Sequence, residues 1–551
     1  YFKILLAEKH ELGIFFISLG LLLASAFILF IISIFIQNTF KKIRIFQAPD
    51  IKKIDAILDN LLNVKTIYIL LFLFLASFIP RIIFVSSGLP HHDAVQAAIA
   101  AERTIETGKL HGITENRYGY IAINVIAYFF PYYIFGIKSS ETIINIVTVF
   151  FASLSVVMMY LFVKELLNSK YIAFSSSLMF SFLPIYMSVT TYASPHAHSI
   201  FFILLAAYLL LKAIKTDSGI YKFLFSLTFG FALFIRVADV FVILPFYLLI
   251  YFFPKKIFNP EDIKSKSSFS VKNLLPTFLS FALILILFFI FQWNIIMPIT
   301  SGNKFLSPNA DLVANIFLAI LLFMPSLALF LAVYGFLQIL KEKKHIALLL
   351  SVWLISTFVF YSSFAKTKLR FFLILFISLA IFMGFALEFF RKKHNLIYII
   401  ILLTALALMF SFVHPYLAYR HSHSSEKESA VFIANATESN AIIVDAGDSS
   451  VFYDYYTNKS TMSCLYAEKE DFKEKITIID NSLSENIPVY MSSQCFSLAK
   501  GEDTQFNRLW SVINEKYEWA EIAKVYKDNP ESVVFLNPKE YIIYKLRKKE
   551  N

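Results

Sequence analysis

Charge is sparse in this sequence. Only 16% of its 551 residues are Asp, Glu, Lys or Arg while 58% are hydrophobic, and the apolar residues recur in long runs, which excludes a single soluble core. No convincing internal repeat is present, which argues against a transporter or flippase built from repeated halves with charges near the midplane. No tight ligand spacing such as HExxH occurs, so any metal site must be assembled by the fold. Cysteine is nearly absent, so a disulfide can form only between Cys464 and Cys495. The net charge of +11 does not imply a nucleic-acid partner, because Lys and Arg sit in short clusters between apolar runs, where they act as topology signals.

These features predict a polytopic α-helical membrane protein of about 12 transmembrane helices with an extracytoplasmic α/β domain at its C-terminus. Spans are expected near 11–37, 66–84, 141–163, 171–190, 199–213, 222–235, 240–253, 275–297, 312–339, 346–363, 371–390 and 396–413. The first is long enough to be an anchor and not a cleaved signal peptide. Three regions follow: 1–65, an extra helix with a basic linker; 66–413, a membrane domain; and 414–551, the soluble α/β domain. Basic clusters such as Lys41, Lys42 and Arg44, Lys164 and Lys170, Lys212 and Lys215, Lys341, Lys343 and Lys344, and Arg391, Lys392 and Lys393 fall in alternate loops, which the positive-inside bias makes cytoplasmic. The loops 85–140, 190–198, 298–311 and 364–370, and everything after 414, then face outside.

Segment 121–137 is short, Tyr-rich and carries Pro131, so it is expected to lie in the interface and not to cross the membrane. Before it, DAVQAAIAAERTIETGKLH predicts a surface helix closed by Gly108. Beyond 414, Ser425 and Glu428 have capping-box spacing, strands are expected at 441–447, 487–492, 532–536 and 541–546, and 504–517 reads as helical. Cys464 and Cys495 each lie near a strand end, so a disulfide is one reading and two unpaired small hydrophobes the other. Asn435-Ala-Thr437 and Asn458-Lys-Ser460 are weak glycosylation sequons.

Three outer features carry chemistry. AKTKLRFF gathers Lys366, Lys368 and Arg370 on the side where basic residues are scarce; it reads either as an interfacial cluster or as a phosphate site with Phe371 and Phe372 along a lipid tail. FALFIRVADVF sets Arg236 and Asp239 three residues apart, a donor-binding pair or a structural ion pair. The third is His91-His92-Asp93. If a lipid-linked phosphate leaves from a sugar, it is already a good leaving group, and the enzyme must add a base for the incoming hydroxyl. Asp93 suits that role; helix N-capping is its alternative.

The order of features, with TYASPHAHSIFF, FGFALFIR, FMPSLALFLAVYGF and KLRFFLILFISLAIFMGFAL, resembles the C-type glycosyltransferase superfamily over residues 66 to 413. The similar branch contains dolichyl-phosphate-mannose protein mannosyltransferases and lipid A aminoarabinose transferases. The resemblance implies that Asp93 is the catalytic base and that Arg370, in Arg370-Phe371, binds the donor phosphate. Two departures are visible: Ala94 stands where a second acid is usual, and RYGY at 117–120 replaces a Pro-Pro pair.

The implied enzyme is a membrane glycosyltransferase that moves a sugar from a polyprenyl-phosphate-linked donor to a protein, glycan or lipid acceptor on the outer face. Lys366, Lys368 and Arg236 join Arg370 as phosphate ligands. His91, His92, Gln96, Tyr192, His196, His198 and Asp239 are sugar-binding candidates, with Ser194 in the same loop as Tyr192. Transfer of an oligosaccharide is the nearest alternative, and a receptor or scaffold a more distant one. His91, His92, Asp93, His196 and His198 are also plausible ligands for a divalent metal, Mn, Mg or Zn. The Lys, Ile, Phe and Asn bias points to an AT-rich genome and a prokaryotic plasma membrane, an archaeal one among the candidates.

Overall fold

A computed structural model of the chain describes residues 64–109, 111, 117–258, 286, 324–363, 368–445, 447–457, 459–464, 469–493, 495, 513–528 and 538–549. The expected span 11–37, nearly all of 275–297, loop 298–311, Lys366, the strand at 532–536 and Asn458 lie outside the described residues. The chain divides into two compact units. The first takes its described residues from 64–83, 117–120 and 147–415, the second from 84–111, 121–146 and 416–549.

The first unit is helical. Among the described residues of the whole chain, seven helices are long and apolar enough to cross a membrane: Thr66–Ile83, Tyr118–Phe135, Glu141–Leu167, Pro195–Thr216, Lys344–Ser362, Leu369–Lys393 and Asn395–Ala436. The protein is an integral membrane protein. Small residues let its helices approach closely. A Cβ added at Gly335 would fall 1.7 Å from the Phe382 carbonyl oxygen, and one at Gly384 would fall 2.1 Å from Ser176 Oγ. The helices Ser326–Glu342, Leu375–Lys393 and Lys170–Phe182 pack together through these positions.

Among the described residues, three of the basic clusters expected on one side of the membrane meet at one end of this unit. Lys212 pairs with Glu165 at 2.7 Å and Lys215 pairs with it at 3.3 Å. Lys343 donates to the Leu167 carbonyl at 2.8 Å, and Arg391 lies 3.7 Å above the Tyr171 ring.

Local chemistry moves several boundaries. The expected span 171–190 breaks at Leu183, whose ψ of 125° follows from the steric demand of Pro184 on the residue before it. Ser194 caps the helix Pro195–Thr216 by accepting the His196 N–H, so this helix begins before the expected 199. Helices Gly219–Ile235 and Val237–Phe252 are separated only by the extended residue Arg236. At 17 and 16 residues, each is short of a full span of roughly 20. Segment 121–137 forms most of the helix Tyr118–Phe135, the least hydropathic of the seven candidate spans.

The second unit carries the helix His92–Thr107, closed as expected by Gly108 in the left-handed region (φ 66°). Among the described residues its C-terminal part is a five-stranded sheet of order β2-β1-β3-β5-β4, with β1 Ile442–Asp445, β2 Ser460–Ser463, β3 Val489–Ser492, β4 Tyr517–Asp528 and β5 Pro538–Lys548. Strands β2, β1 and β3 are parallel, and β5 and β4 run antiparallel beside them. Cys464 and Cys495 are joined in a disulfide with Cα atoms 6.1 Å apart, inside a core that includes Val444, Ile479, Val489 and Tyr517.

Two details differ from expectation. The helix cap before residue 425 is Ser424, whose N–H is accepted by Glu428 at 3.1 Å, so only half of a capping box forms. Helix was expected through 517, but β4 begins at Tyr517. In that strand the alternation that would mark it is broken by a bulge between Glu521 and Ala523.

Candidate functional site

Each unit carries one chemically loaded constellation. In the first unit the constellation gathers around Phe371. The segment Leu369–Ile374 is a 3₁₀ turn held by Trp353, whose indole N–H donates to the Ile374 carbonyl at 3.0 Å. This turn buries Arg370 and places its guanidinium 5.6 Å from the Phe371 ring centre. Arg236, held at the extended break between its two helices, lies 5.2 Å from the same ring centre.

Arg236 is not a lone cation. Its Nη1 donates to both Asp239 oxygens, at 2.8 and 3.0 Å, and to His196 Nδ1 at 2.7 Å. A guanidinium only donates, so His196 Nδ1 must be the acceptor and the imidazole proton sits on Nε2. Asp239 is fully buried and also accepts the Tyr361 hydroxyl. The His196 and Tyr361 rings lie 5.9 and 5.7 Å from Phe371. The formal charge of Arg236, Arg370 and Asp239 is +1 with His196 neutral, so the cluster keeps a net attraction for an anion while its one buried acid is satisfied.

Tyr192 and His198 lie in the same unit, both buried. His198 Nδ1 faces the Ser194 carbonyl at 3.2 Å and its ring packs against Tyr120 and Phe151, so it serves the helix start and the core around it. Lys368 is half-buried at the start of the turn. Tyr361 was not singled out from the sequence. Nothing local in the sequence marks it among 29 tyrosines.

The second unit holds His91-His92-Asp93. His91, extended at φ −132° and ψ 140°, caps the helix: its Nδ1 accepts the Asp93 N–H at 3.2 Å. Asp93 therefore sits in the first turn, and the N-cap role open to it in the sequence belongs to His91. The helix dipole favours negative charge there. His92 Nε2 lies 2.9 Å from Asp93 Oδ1, and His91 Nδ1 lies 3.5 Å from Oδ2. Gln96 follows one turn on in the same helix.

These three are the residues best able to hold a metal ion among those described, with ligand atoms all within 4.8 Å of one another. A metal would have to take His91 Nδ1 away from the helix cap. His196 and His198, the other metal candidates, commit Nδ1 to Arg236 and to Ser194 in the first unit.

The arrangement of helices, the C-terminal α/β region and the basic cluster can be set beside known proteins. Over 87% of this chain and 97% of the other, the structure is similar to ArnT from Cupriavidus metallidurans bound to undecaprenyl phosphate, at TM-score 0.53 and 10% identity. The fold is that of the C-type glycosyltransferases. Within this C-type fold the apo form of the same ArnT gives TM-score 0.56 at 11% identity over the same shares of the two chains. The archaeal oligosaccharyltransferase AglB from Archaeoglobus fulgidus, in complex with an inhibitory peptide and a dolichol-phosphate, gives TM-score 0.51 at 12% identity over 86% of this chain and 74% of its own. Residues 125–293 match the family of dolichyl-phosphate-mannose-protein mannosyltransferases. No curated protein matches the chain by sequence at a significant level.

Proposed function

We propose that this C-type chain is a glycosyltransferase that transfers a sugar from a polyprenyl-phosphate-linked donor to a hydroxyl of a protein, glycan or lipid acceptor on the outer face of a prokaryotic plasma membrane. The observation that carries the reading is the buried cluster around Phe371. Two guanidiniums and an Nε2–H imidazole surround one aromatic ring at the end of a helical bundle opposite the Lys- and Arg-rich loops. Such donors match a phosphate monoester at the membrane surface, with the apolar tail running along the helices. The similar ArnT and AglB structures hold undecaprenyl phosphate and dolichol-phosphate.

In the reaction proposed, the acceptor oxygen attacks the anomeric carbon, and the bond from that carbon to the phosphate oxygen breaks with its electron pair going to the phosphate. Asp93 takes the acceptor proton. Arg370 and Arg236 stabilise the released phosphate charge, with Lys368 and Lys366 adding to the basic field. His91, His92, Gln96 and Tyr192 are assigned to the sugar, and His196 and Asp239 hold Arg236 in place.

The test is a cryo-EM map of the purified protein with undecaprenyl phosphate. Phosphate density in contact with Arg370 or Arg236 and a tail along the Phe371 helix is expected. A lipid phosphate bound elsewhere, with the Phe371 cluster unoccupied at saturating lipid, would overturn the donor assignment.

A further inference from the structure

The segment 85–89, which leads into the helix bearing Asp93, is bonded along its backbone to residues far away in the chain. His421 Nδ1 lies 2.9 Å from the Val85 carbonyl, and the Ser87 N–H donates to the Arg420 carbonyl at 3.3 Å. Asn145 Nδ2 donates to the carbonyls of Ser86 and Gly88 at 3.3 and 3.2 Å. The Leu89 N–H donates to the Tyr456 hydroxyl at 3.0 Å. Gly88 is pressed so closely on Ser424 that an added Cβ would lie 2.0 Å from its Oγ.

The helix after the segment is held from the same place. Glu102, in its third turn, accepts the Tyr455 hydroxyl at 3.0 Å and the Ser140 N–H at 2.8 Å. Tyr455 and Tyr456 are neighbours on the helix Gly447–Thr457, with ring centres 5.0 Å apart. Burial, and then Glu102, pushes the Tyr455 hydroxyl well above its ordinary range, and burial and then Glu141 do the same for Tyr456. Both therefore stay protonated at neutral pH, and Tyr456 keeps a lone pair for Leu89. Glu141 is tied in turn to Lys427 at 3.3 Å.

We propose that Tyr456 and Tyr455 are positioning residues for Asp93. Tyr456 fixes the backbone four residues before the acid, and Tyr455 fixes the helix nine residues after it. Neither needs to touch substrate. Loops between two anchors keep a range of backbone states, and a base displaced by about 1 Å from its working geometry costs on the order of 10²-fold in rate. On this reading, which rests on the function proposed above, the C-terminal α/β region is a brace for the acid as well as an outer domain.

The experiment uses the full-length protein with Tyr456→Phe and Tyr455→Phe, each of which keeps the ring and removes one hydroxyl. Hydrogen exchange is followed by mass spectrometry on peptides spanning 85–93 and 98–106, with peptides of β1 and β3 as folding controls. Glycosyl transfer is measured in parallel, with Asp93→Asn alongside. Exchange in 85–93 should rise about tenfold in Tyr456→Phe while the controls stay protected, and kcat should fall about tenfold with donor KM within twofold. Tyr455→Phe should give a smaller change of the same kind, centred on 98–106.

Unchanged exchange in both variants would overturn the brace. Faster exchange with wild-type kcat, while Asp93→Asn is inactive, would show that the segment is held but that holding it does not serve the acid, and would overturn the positioning role. A fully active Asp93→Asn would remove the base, and with it the role given to the tyrosines, even though exchange would still rise.

Discussion

The two constellations use charge in opposite ways. Around Phe371 the groups are buried, and the acid among them is bonded by a guanidinium and a phenol, so that Asp239 presents its charge to Arg236 and not to solvent. At 91–93 the acid is only partly buried, and its partners include two imidazoles, His91 and His92. A pre-bonded, buried cationic cluster is suited to holding an anion, because its own reorganisation is already done. A partly exposed acid at a helix start, by contrast, can exchange a proton with an incoming group. The difference fits the division made in the proposed function, binding in one constellation and proton transfer in the other.

That assignment is most exposed at Asp93. Asp93→Asn keeps size and removes the base, so transfer should fall by about 10²- to 10⁴-fold, while binding of a polyprenyl phosphate changes by less than about threefold. Steady-state transfer and lipid binding on the same preparation decide it. Near-normal turnover would put the acid outside the chemistry and dissolve the contrast.

The complementary change is Arg370→Ala. Loss of one charge-assisted bond to phosphate is worth roughly 1.5–3 kcal/mol, so donor affinity should fall about ten- to a hundredfold. Turnover at saturating donor should fall less than affinity does. A variant that lost turnover but bound donor normally would give the basic cluster a catalytic role and blur the division.

Tyr361→Phe sharpens the comparison from within the buried cluster. It removes a donor from a fully buried carboxylate, at a cost of about 1–3 kcal/mol. A lower thermal midpoint and a severalfold weaker donor affinity are expected, because Asp239 is what holds Arg236. An unchanged midpoint would show that Asp239 is satisfied without the phenol.

Much of the first constellation was legible in the sequence. The three-residue spacing of Arg236 and Asp239 at a span end, and Arg370-Phe371 before another, marked residues that meet at one ring. Tyr361 was hidden because one phenol among 29 tyrosines and 62 phenylalanines carries no local mark. In the second constellation the acid was visible, but its cap was not, since Asp is the commoner N-cap and His91 took the place through Nδ1. The tyrosines behind it could not be found at all. Tyr456 and Leu89 are 367 positions apart, and no periodicity spans such a distance. Boundaries failed where a single residue overrode a run, as at Pro184 and in the bulge of β4.

The smallest expected effect sets a scale for charge on the exposed side of the C-terminal region. Glu438 accepts Lys545 Nζ at 2.5 Å and the Tyr490 hydroxyl, and the Lys545 bond, then the Tyr490 bond, pulls its carboxyl down to about 2 from the ordinary 4.5. A carboxylate whose folded value is depressed adds stability that is fully present above the unfolded value. Its contribution is thus complete above about pH 4.5 and fades as pH falls toward about 2. The side chain is 44% exposed, so solvent screening holds the pair to about 0.2–1 kcal/mol, below the cost expected for Asp239 and Tyr361. Glu438→Gln should lower the unfolding midpoint slightly at pH 7, and the gap from wild type should close as the pH is brought from 4.5 toward 2. If Glu438→Gln costs as much as Tyr361→Phe, burial is not what separates the two regions.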